Sequence, residues 1–429
     1  RDPEPGTQGG APGAEPNNWG SFFSGSAWEW VPEREQYYLH LFSRKQPDLN
    51  WDNAEVREAV FAMMRWWLDR GVAGFRMDVI NLISKDPAFP DGKLREDGLG
   101  DGTPYFSSGP RIHDFLAQMK REVFDPHQEA VLTVGEMPGV TAAAALQFTD
   151  EETGQLGMVF QFEHVGLDHG PSKWDERPMT LVDLKRSLGN WQVELGRGWN
   201  SLYLSNHDQP RSVSRFGNDT TYWRESATAL ATMLHLHRGT PYVYQGEELG
   251  MTNVPFDSID DFRDIESLNH YRDAVARGQD PEKVLASLRR MSRDNARTPM
   301  QWTAGPEAGF TTGRPWIEVN PNHTWLNADA QRGDPGSVCA YYRSLVALRH
   351  SEPAVVDGDF DMLLPDDPAV YAFRRRLGDR CVTVHANLSD NEVLLALPDD
   401  ELVLSNLLTP PQPGRLRPWE ACVHRSVGT

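Results

Sequence analysis

The sequence has few cysteines, no long apolar run and no excess of positive charge. Its 429 residues include three cysteines, Cys339, Cys381 and Cys422, which are widely spaced and form no CxxC pair. An odd and scattered set of thiols predicts neither a disulfide framework nor a zinc site. It predicts a reduced protein, and hence a cytoplasmic one. No stretch approaches the ~18 consecutive apolar residues that a membrane-spanning helix requires.

The charge balance argues against polyanionic partners. The sequence has 62 Asp and Glu residues against 42 Lys and Arg residues, which gives a formal charge of -20. Such a chain repels phosphate backbones and anionic lipids, so we expect no nucleic acid and no membrane surface as a partner. A small neutral substrate fits better. The 14 Trp and 11 Tyr residues suit stacking on such a substrate, although most of them are expected in the core.

Three apolar runs of strand length each end in a carboxylate, at Asp78, Glu136 and Asp208. Arg76 precedes Asp78 by two residues, so on a strand the two side chains point to the same face. An adjacent arginine favours an ionised carboxylate, which indicates a nucleophile or an anionic stabiliser at Asp78; a structural ion pair is the alternative. Catalytic groups of a β/α barrel gather at the carboxyl ends of its strands, so the threefold repetition favours catalysis.

Strand and helix patterns alternate between residues 53 and 352. Five strand-helix units follow one another from the run before Asp78 onward, which predicts a parallel sheet closed or wound by βαβ units. After residue 353, alternating apolar residues between Asp/Pro turns predict a small antiparallel domain. Residues 1–16, rich in Gly, Pro, Ala and Glu, are expected to form a flexible loop. The Gly-, Asp- and Pro-rich residues 87–109 are expected to form a rim loop of an active site.

Six segments follow one another in the order QPDLNW, GFRMDVIN, VGEMP, LSNHDQPR, YQGEELGM and RDNARTPMQW. Together they resemble the α-amylase family of glycoside hydrolases, and specifically its oligo-1,6-glucosidase and α-glucosidase branch. The resemblance implies a (β/α)8 TIM barrel with a C-terminal antiparallel β domain. In the family the QPDLNW-type segment closes a small domain inserted after the third barrel strand. We therefore expect that the sequence is truncated at its N-terminus and lacks barrel strands one to three.

The resemblance also divides the chain. It assigns residues 1–50 to a remnant of the inserted subdomain B, residues 51–352 to a partial catalytic barrel and residues 353–429 to a C-terminal β-sandwich domain. In some relatives a structural calcium ion lies in the first barrel loop, which belongs to the part expected to be missing. No metal pattern is visible in the residues present, so neither a metal nor a cofactor is predicted here. The protein is expected to be a monomer.

Site roles follow residue by residue from the matched motifs. Asp78 is predicted to be the nucleophile, Glu136 the general acid and base, and Asp208 the third carboxylate, which holds ring hydroxyls and stabilises the transition state. Seven further residues are expected to contact the substrate: Arg76, Val79, His207, Arg293, Arg297, Phe42 and Gln46. For His207 the alternative is a structural histidine. For the two arginines of RDNARTPMQW it is a set of local ion pairs in a solvated loop.

Val79 carries the predicted bond preference. In this branch the residue after the nucleophile tends to be Val in enzymes that cleave α-1,6 bonds and a smaller or hydroxylated residue in α-1,4 enzymes. The sequence thus predicts a retaining exo-α-glucosidase acting on isomalto-oligosaccharides, with an α-1,4-glucosidase as one alternative. A sucrose or trehalose isomerase is another, although residues 214–219 resemble the hydrolase form and not the arginine-rich loop of isomaltulose-forming relatives. A non-catalytic amylase-like module is disfavoured because all three carboxylates are present.

Overall fold

The computed structural model describes residues 1–427. These residues fall into two compact units, Arg1–Phe162 and Glu163–Thr429. No helix within the described residues is long and apolar enough to cross a membrane. The domain limits expected at residues 50 and 352 are those of the family's inserted subdomain and C-terminal domain. A division by compactness does not test them, so they stay a prediction.

The first unit, residues 1–162, is described throughout and combines a parallel sheet with two antiparallel hairpins and several helices. Its strands are β1 Trp28–Val31, β2 Gln36–Leu39, β3 Gly74–Met77, β4 Lys93–Leu94, β5 Gly100–Asp101, β6 Leu132–Glu136 and β7 Met158–Phe160. Its α-helices are α1 Ala54–Leu68, α2 Thr103–Phe106, α3 Ile112–Met119 and α4 Ala142–Thr149.

The parallel sheet of the first unit has the strand order β3-β6-β7. Met77 lies opposite Gly135, and Glu136 lies opposite Phe160. Parallel strands present their carboxyl ends at one edge of a sheet. Asp78, which follows β3, and Glu136, which ends β6, therefore share that edge.

Helix α1 leads into β3, as the apolar spacing before Gly71 predicts. The Asn53 side chain caps it by accepting a hydrogen bond from the backbone N–H of Glu55. Its buried face consists of Phe61, Met64 and Leu68, which recur at helical spacing. Strand β3 is less buried than its apolar sequence suggests, because it lies at the edge of the three-stranded sheet and pairs with β6 alone.

Two predicted loops are more ordered than expected. Within residues 1–16 the backbone N–H of Glu4 donates to the carbonyl of Ala14, which is fully buried, so these residues form linked turns instead of a flexible loop. Gly and Pro, which indicated flexibility, also suit consecutive tight turns. The predicted rim loop, residues 87–109, folds into the β4-β5 hairpin and helix α2.

The second unit holds the remaining elements of residues 163–427. Its strands are β8 Ser201–Leu202, β9 Thr240–Pro241, β10 Asp359–Leu363, β11 Val370–Leu377, β12 Arg380–Asn387, β13 Val393–Leu394, β14 Glu401–Ser405, β15 Arg415–Leu416 and β16 Ala421–Val427. Its α-helices are α5 Leu181–Glu194, α6 Ser212–Phe216, α7 Trp223–His235, α8 Ile265–Ala276, α9 Pro281–Met291, α10 Asp294–Arg297, α11 Ala328–Gln331, α12 Val338–Ser351 and α13 Pro353–Asp357.

Strands β8 and β9 pair in parallel and are shorter than their sequences predict. The expected strands, residues 201–205 and 240–245, keep two ladder residues each, joined by hydrogen bonds from the N–H of Thr240 to the Asn200 carbonyl and from the N–H of Tyr242 to the Leu202 carbonyl. Helix α7 packs between them and the C-terminal residues, with every residue from Ser226 to His235 buried. Arg349 of α12 satisfies the end of α7 by donating from Nη1 to the carbonyls of His235 (2.6 Å) and His237 (2.8 Å).

A five-stranded antiparallel sheet in the order β10-β11-β12-β16-β14 forms the C-terminal part of the second unit, beside a β13-β15 pair. Strands β11 and β12 extend the two runs predicted from the sequence. Tyr371, Phe373, Val384 and Val423 are fully buried on one side of this sheet and join an apolar cluster with α5, α7 and α12. On the other side of the sheet, Val370, Ala372 and Cys422 are also fully buried and cluster with Leu416 of β15, so both faces of the central strands are covered.

Candidate active site

The predicted nucleophile and the predicted acid lie together in the first unit, bridged by Arg76. Its Nη1 donates to Asp78 Oδ1, and its Nη2 lies 2.6 Å from Glu136 Oε1. The backbone N–H of Val79 donates to the other oxygen of Glu136, Oε2, at 3.1 Å. The sequence pattern predicted the contact of Arg76 with Asp78. It missed the contact with Glu136, which depends on the register between β3 and β6.

The two carboxyl groups occupy very different surroundings. The side chain of Asp78 is 68% exposed, whereas that of Glu136 is 6% exposed. Burial raises the pKa of Glu136 to about 7; the charge of Arg76 opposes this rise, and the neighbouring Asp78 adds to it. A carboxyl group with this pKa holds a proton over part of the neutral range. Glu136 can therefore donate a proton, and Asp78 faces solvent where a substrate can reach it.

Val79 adopts a backbone conformation that its sequence does not predict. It has φ 37° and ψ 44°, in the left-handed region, and it opens a 3₁₀ turn over Ile80–Leu82 instead of continuing the strand. A β-branched residue in this region carries strain of roughly 1–3 kcal/mol. The surroundings hold it there, since its N–H binds Glu136 and its side chain packs against the aromatic cluster around Trp19.

Asn81 is a residue of this site that the sequence argument did not assign. It is fully buried, and its side-chain amide donates to the carbonyl of Pro138 (3.0 Å) and to Ser107 Oγ (3.2 Å). It thus ties the turn after Asp78 to the turn after Glu136. A polar residue inside the otherwise apolar segment 79–83 was the signal that could have revealed it.

Asp208 forms a second charged cluster, in the second unit, with the two arginines of RDNARTPMQW. Its Oδ1 lies 2.7 Å from Arg297 Nη2 and 3.1 Å from Arg293 Nη1, and its Oδ2 lies 3.5 Å from His207 Nε2. Burial by itself would raise the pKa of Asp208, but Arg293, His207 and Arg297 outweigh it and lower the pKa. Asp208 is therefore held as an anion. The ion pairs show that the two arginines do not belong to a merely solvated loop.

Two further acids bind the nitrogens of these arginines that do not contact Asp208. Neither acid was predicted from the sequence. Asp264 Oδ2 accepts from Arg297 Nη1 at 2.5 Å, and Glu266 Oε2 accepts from Arg293 Nε at 2.8 Å. Lys173 also pairs with Glu266 and lies over the ring of Trp174. Asp264 and Glu266 stand at the start of α8, where Asp264 caps the helix. Acidic residues at a helix N-terminus are common, so this pattern gave no sign of a function.

Phe42 and Gln46 differ in their surroundings. The Phe42 ring stacks on Phe22 at 5.2 Å between centroids and packs, like Val79, against the cluster around Trp19. Gln46 is exposed, and its Oε1 accepts from the backbone N–H of Ser43. Within residues 1–427 neither side chain hydrogen-bonds to Asp78 or Glu136. Their role in binding a substrate stays a prediction.

No group of three or more His, Cys, Asp and Glu side chains among the described residues is arranged to hold a metal ion. The two carboxylate clusters are satisfied by arginines, a histidine and backbone N–H groups instead. The expectation that no cofactor is needed stays a prediction.

The pKa of Glu136 makes a prediction about stability. A carboxyl group whose pKa is raised on folding binds protons more tightly in the folded state, so stability falls as pH rises from the unfolded value of 4.5 to about 7 and then levels off. Glu136→Gln removes this loss. The variant should gain stability over the wild type by up to roughly 3 kcal/mol across that range, measured as unfolding temperature against pH.

The exposed Glu129, on the loop before β6, provides the control for this experiment. Glu129→Gln should leave the pH dependence unchanged. Glu247, which is also buried with a pKa of about 7, is present in every variant and cancels in the difference. A constant offset between Glu136→Gln and the wild type from pH 4.5 to 8 would contradict the raised pKa of Glu136.

Comparison with known proteins identifies the family. Residues 3–358 match the α-amylase catalytic domain. The oligo-1,6-glucosidase of Parageobacillus thermoglucosidasius is 52% identical over 430 residues, which cover 97% of this chain and 76% of that protein. The α-glucosidase of Pediococcus pentosaceus is 47% identical over 423 residues, which cover 96% and 75%.

Solved structures agree with this assignment. A trehalose-6-phosphate hydrolase of Bacillus licheniformis superposes with a TM-score of 0.89 at 42% identity, over 100% of this chain and 77% of that one. An isomaltulose synthase of a Klebsiella species superposes with a TM-score of 0.92 at 40% identity, over 97% and 76%. The predicted TIM-barrel class with a C-terminal antiparallel domain is confirmed. The chain belongs to the α-amylase family of glycoside hydrolases, in its oligo-1,6-glucosidase and α-glucosidase branch.

Proposed function

We propose that this protein is a retaining exo-α-glucosidase that releases glucose from the non-reducing end of isomalto-oligosaccharides. The observation that carries the proposal is the carboxyl pair of Asp78 and Glu136, which are bound by the two terminal nitrogens of one guanidinium, that of Arg76. Inverting enzymes keep their two carboxyl groups about 6.5–9.5 Å apart to admit a water molecule, whereas retaining enzymes keep them about 5–5.5 Å apart. Because a single guanidinium binds both carboxyl groups, they lie close together, and this closeness supports the retaining mechanism.

The two carboxyl groups divide the reaction between them. Asp78, as the exposed anion, attacks the anomeric carbon while the bond from that carbon to the leaving oxygen breaks, and Glu136 passes its proton to that oxygen. The product of this step is a glucosyl ester on Asp78. Glu136, now ionised, then takes a proton from water as the water attacks the same carbon and the bond from that carbon to Asp78 breaks. Glucose leaves with its α configuration, and both side chains return to their starting states.

The cluster of Asp208, Arg293 and Arg297 supports a role in holding the sugar. An anion kept charged by two arginines offers a strong acceptor to ring hydroxyls and opposes the positive charge of an oxocarbenium-like transition state. The exposed Nε2 side of His207, next to Asp208, adds a hydrogen-bond partner for the same hydroxyls. This assignment follows the family motif, and the ion pairs are what would keep Asp208 in the required charge state.

The bond preference is drawn from Val79 and from the relatives. The P. thermoglucosidasius protein at 52% identity is named an oligo-1,6-glucosidase, and Val79 follows the proposed nucleophile directly. Val79 also binds Glu136 through its N–H, so its side chain is fixed relative to the proposed acid. The isomalto-type linkage is favoured over the α-1,4 linkage for these two reasons.

Isomerisation of sucrose or trehalose is a second candidate, because the superposing structures include an isomaltulose synthase. The loop that distinguishes these enzymes is expected at residues 214–219. In this protein its arginine, Arg215, is almost completely buried and pairs with Asp168 through Nε (2.7 Å) and Nη2 (2.8 Å). An arginine used in this way is not available to retain a leaving sugar. Hydrolysis is therefore the better-supported outcome.

The proposed chemistry needs carboxyl groups and water alone, so we propose that the protein uses no cofactor for catalysis. Cys339, Cys381 and Cys422 are free thiols, which supports the proposed cytoplasmic location. The proposed partner is a small oligosaccharide, and the proposed working state is a monomer.

Product analysis tests the function. With 4-nitrophenyl α-glucoside, in which every released glucose comes from the glycosyl group, proton NMR should show α-glucose before mutarotation produces the β anomer. The kcat/KM for isomaltose should exceed that for maltose. Trehalose 6-phosphate and sucrose, offered separately, should be poorer substrates, and sucrose should give no isomeric disaccharide. Appearance of β-glucose first would overturn the retaining mechanism. Conversion of sucrose to an isomer faster than its hydrolysis would favour the isomerase.

Val79 provides a test of linkage specificity. Val79→Thr and Val79→Ala should each shift the kcat/KM ratio of isomaltose over maltose toward maltose by about 1–2 kcal/mol, since one or two methyl contacts discriminate the bonds. Leu82→Met, on the same turn but buried away from solvent, serves as the control and should leave the ratio unchanged. An unchanged ratio in both Val79 variants would place the preference elsewhere in the chain.

A further inference from the structure

Arg211 lies three residues after Asp208 and is buried to 2% exposure. Its guanidinium donates to the carbonyls of Gln245 (Nη1, 2.6 Å), Asn295 (Nε, 3.1 Å) and Ala296 (Nη2, 3.3 Å). Nη2 also lies 3.4 Å from Thr298 Oγ1. Among the described residues no carboxylate forms an ion pair with this side chain. The buried guanidinium thus donates its hydrogen bonds almost entirely to backbone carbonyl groups.

The carbonyls of Asn295 and Ala296 belong to the short helix α10, which carries the arginines of the Asp208 cluster. Asn295 and Ala296 lie in α10, between the two arginines that hold Asp208, so fixing their carbonyls fixes the backbone from which Arg293 and Arg297 extend. A helix of four residues has almost no stability of its own. Its position must therefore come from tertiary contacts, and the planar fork of an arginine can satisfy several carbonyls in a fixed geometry.

A second contact fixes the same segment from another element. The hydroxyl of Tyr244, just after β9, donates to the carbonyl of Ala296 at 2.9 Å, and the Tyr244 ring lies 5.4 Å from the guanidinium of Arg211. The carbonyl of Ala296 thus accepts from both side chains. The segment before it is tied in addition by Asn295 Oδ1, which accepts from the backbone N–H of Val254.

We propose that Arg211 is a positioning residue that acts through the backbone of α10 to hold Arg293 and Arg297 on Asp208. This inference rests on the proposed function, because it assigns Arg211 to the binding of the sugar at Asp208. Arg211 does not touch the substrate. Its loss lets the two arginines drift, which weakens the hold on ring hydroxyls and allows the pKa of Asp208 to rise.

A matched control separates positioning from general stability. Arg349 is also a buried arginine of the second unit that donates to backbone carbonyls, those of His235, His237 and Gly239, but these lie at the end of α7. Arg211→Lys and Arg349→Lys should both lower the unfolding temperature. With 4-nitrophenyl α-glucoside, whose cleavage does not depend on the linkage preference, Arg211→Lys should lower kcat/KM by about 10–100-fold, and Arg349→Lys by less than about twofold.

A double-mutant cycle tests whether Arg211 acts through the arginines. In an Arg297→Lys background, Arg211→Lys should change kcat/KM by less than about threefold, because the contact it supports is already weakened. Arg349→Lys should remain additive with Arg297→Lys. Full additivity of Arg211→Lys with Arg297→Lys would overturn the inference, as would equal activity losses in Arg211→Lys and Arg349→Lys.

The pH dependence of kcat/KM distinguishes positioning from general stability, because a loss of stability alone does not shift it. Asp208 is faced by Arg293, Arg297 and His207, with Tyr244 nearby and with Asp264, Glu266 and Lys173 behind the arginines. When the arginines drift, the acid limb of kcat/KM should move to higher pH in Arg211→Lys and stay in place in Arg349→Lys. An unmoved limb in Arg211→Lys would contradict the inference.

Three further results have to be distinguished. If Arg211→Lys does not fold, Tyr244→Phe removes the other donor to Ala296 and should give a smaller change in the same direction, again non-additive with Arg297→Lys; additivity would overturn the inference. If the wild type cleaves no α-glucoside at all, the proposed function is wrong and the inference falls with it. If the wild type is active and the cycle is additive, only the inference falls.

Discussion

The proposed chemistry of this protein depends on one buried acid. Glu136 ends a parallel strand where little solvent reaches it, and ionising it there is costly, so it keeps a proton to a pKa of about 7. Arg76 opposes this effect and prevents the pKa from rising further, while it also holds Asp78 against the same site. The geometry that fixes this balance comes from the register of β3 on β6, which sets Met77 opposite Gly135.

The second unit places an acid in the opposite electrostatic setting. Asp208 is also partly buried, yet its pKa falls, because Arg293 and Arg297 contact the same carboxylate oxygen. Asp264 and Glu266 neutralise the far sides of those arginines, so the cluster contains alternating charges rather than an unpaired excess. Buried charges of this kind are tolerated when each is paired and hydrogen-bonded. A carboxyl group is thus held protonated over part of the neutral range in one place and as a fixed anion in another, according to its neighbours.

Much of this architecture could be predicted from the sequence, because strand ends and family motifs are local signals. The three carboxylates and the contact of Arg76 with Asp78 follow from a spacing of two residues and from the family motifs, and alternating apolar residues predicted strands β11 and β12 of the C-terminal sheet. The left-handed turn at Val79 could not, since Val favours extended backbone and the turn is held by tertiary contacts, namely the hydrogen bond to Glu136 and packing against the cluster around Trp19. Asp264 and Glu266 were missed for a similar reason: a cap and a first-turn acid have the same sequence pattern whether or not arginines face them.

The proposed mechanism depends on Asp78 as the nucleophile, and trapping of the covalent intermediate tests this assignment most directly. A 5-fluoro-α-glucosyl fluoride slows the second step more than the first, so the wild type should accumulate a glucosyl adduct that peptide mass spectrometry locates on Asp78. Asp78→Ala should form no adduct, and Glu136→Gln should still form it because fluoride leaves without protonation. A label on Glu136 or Asp208, or an adduct that persists in Asp78→Ala, would contradict the account.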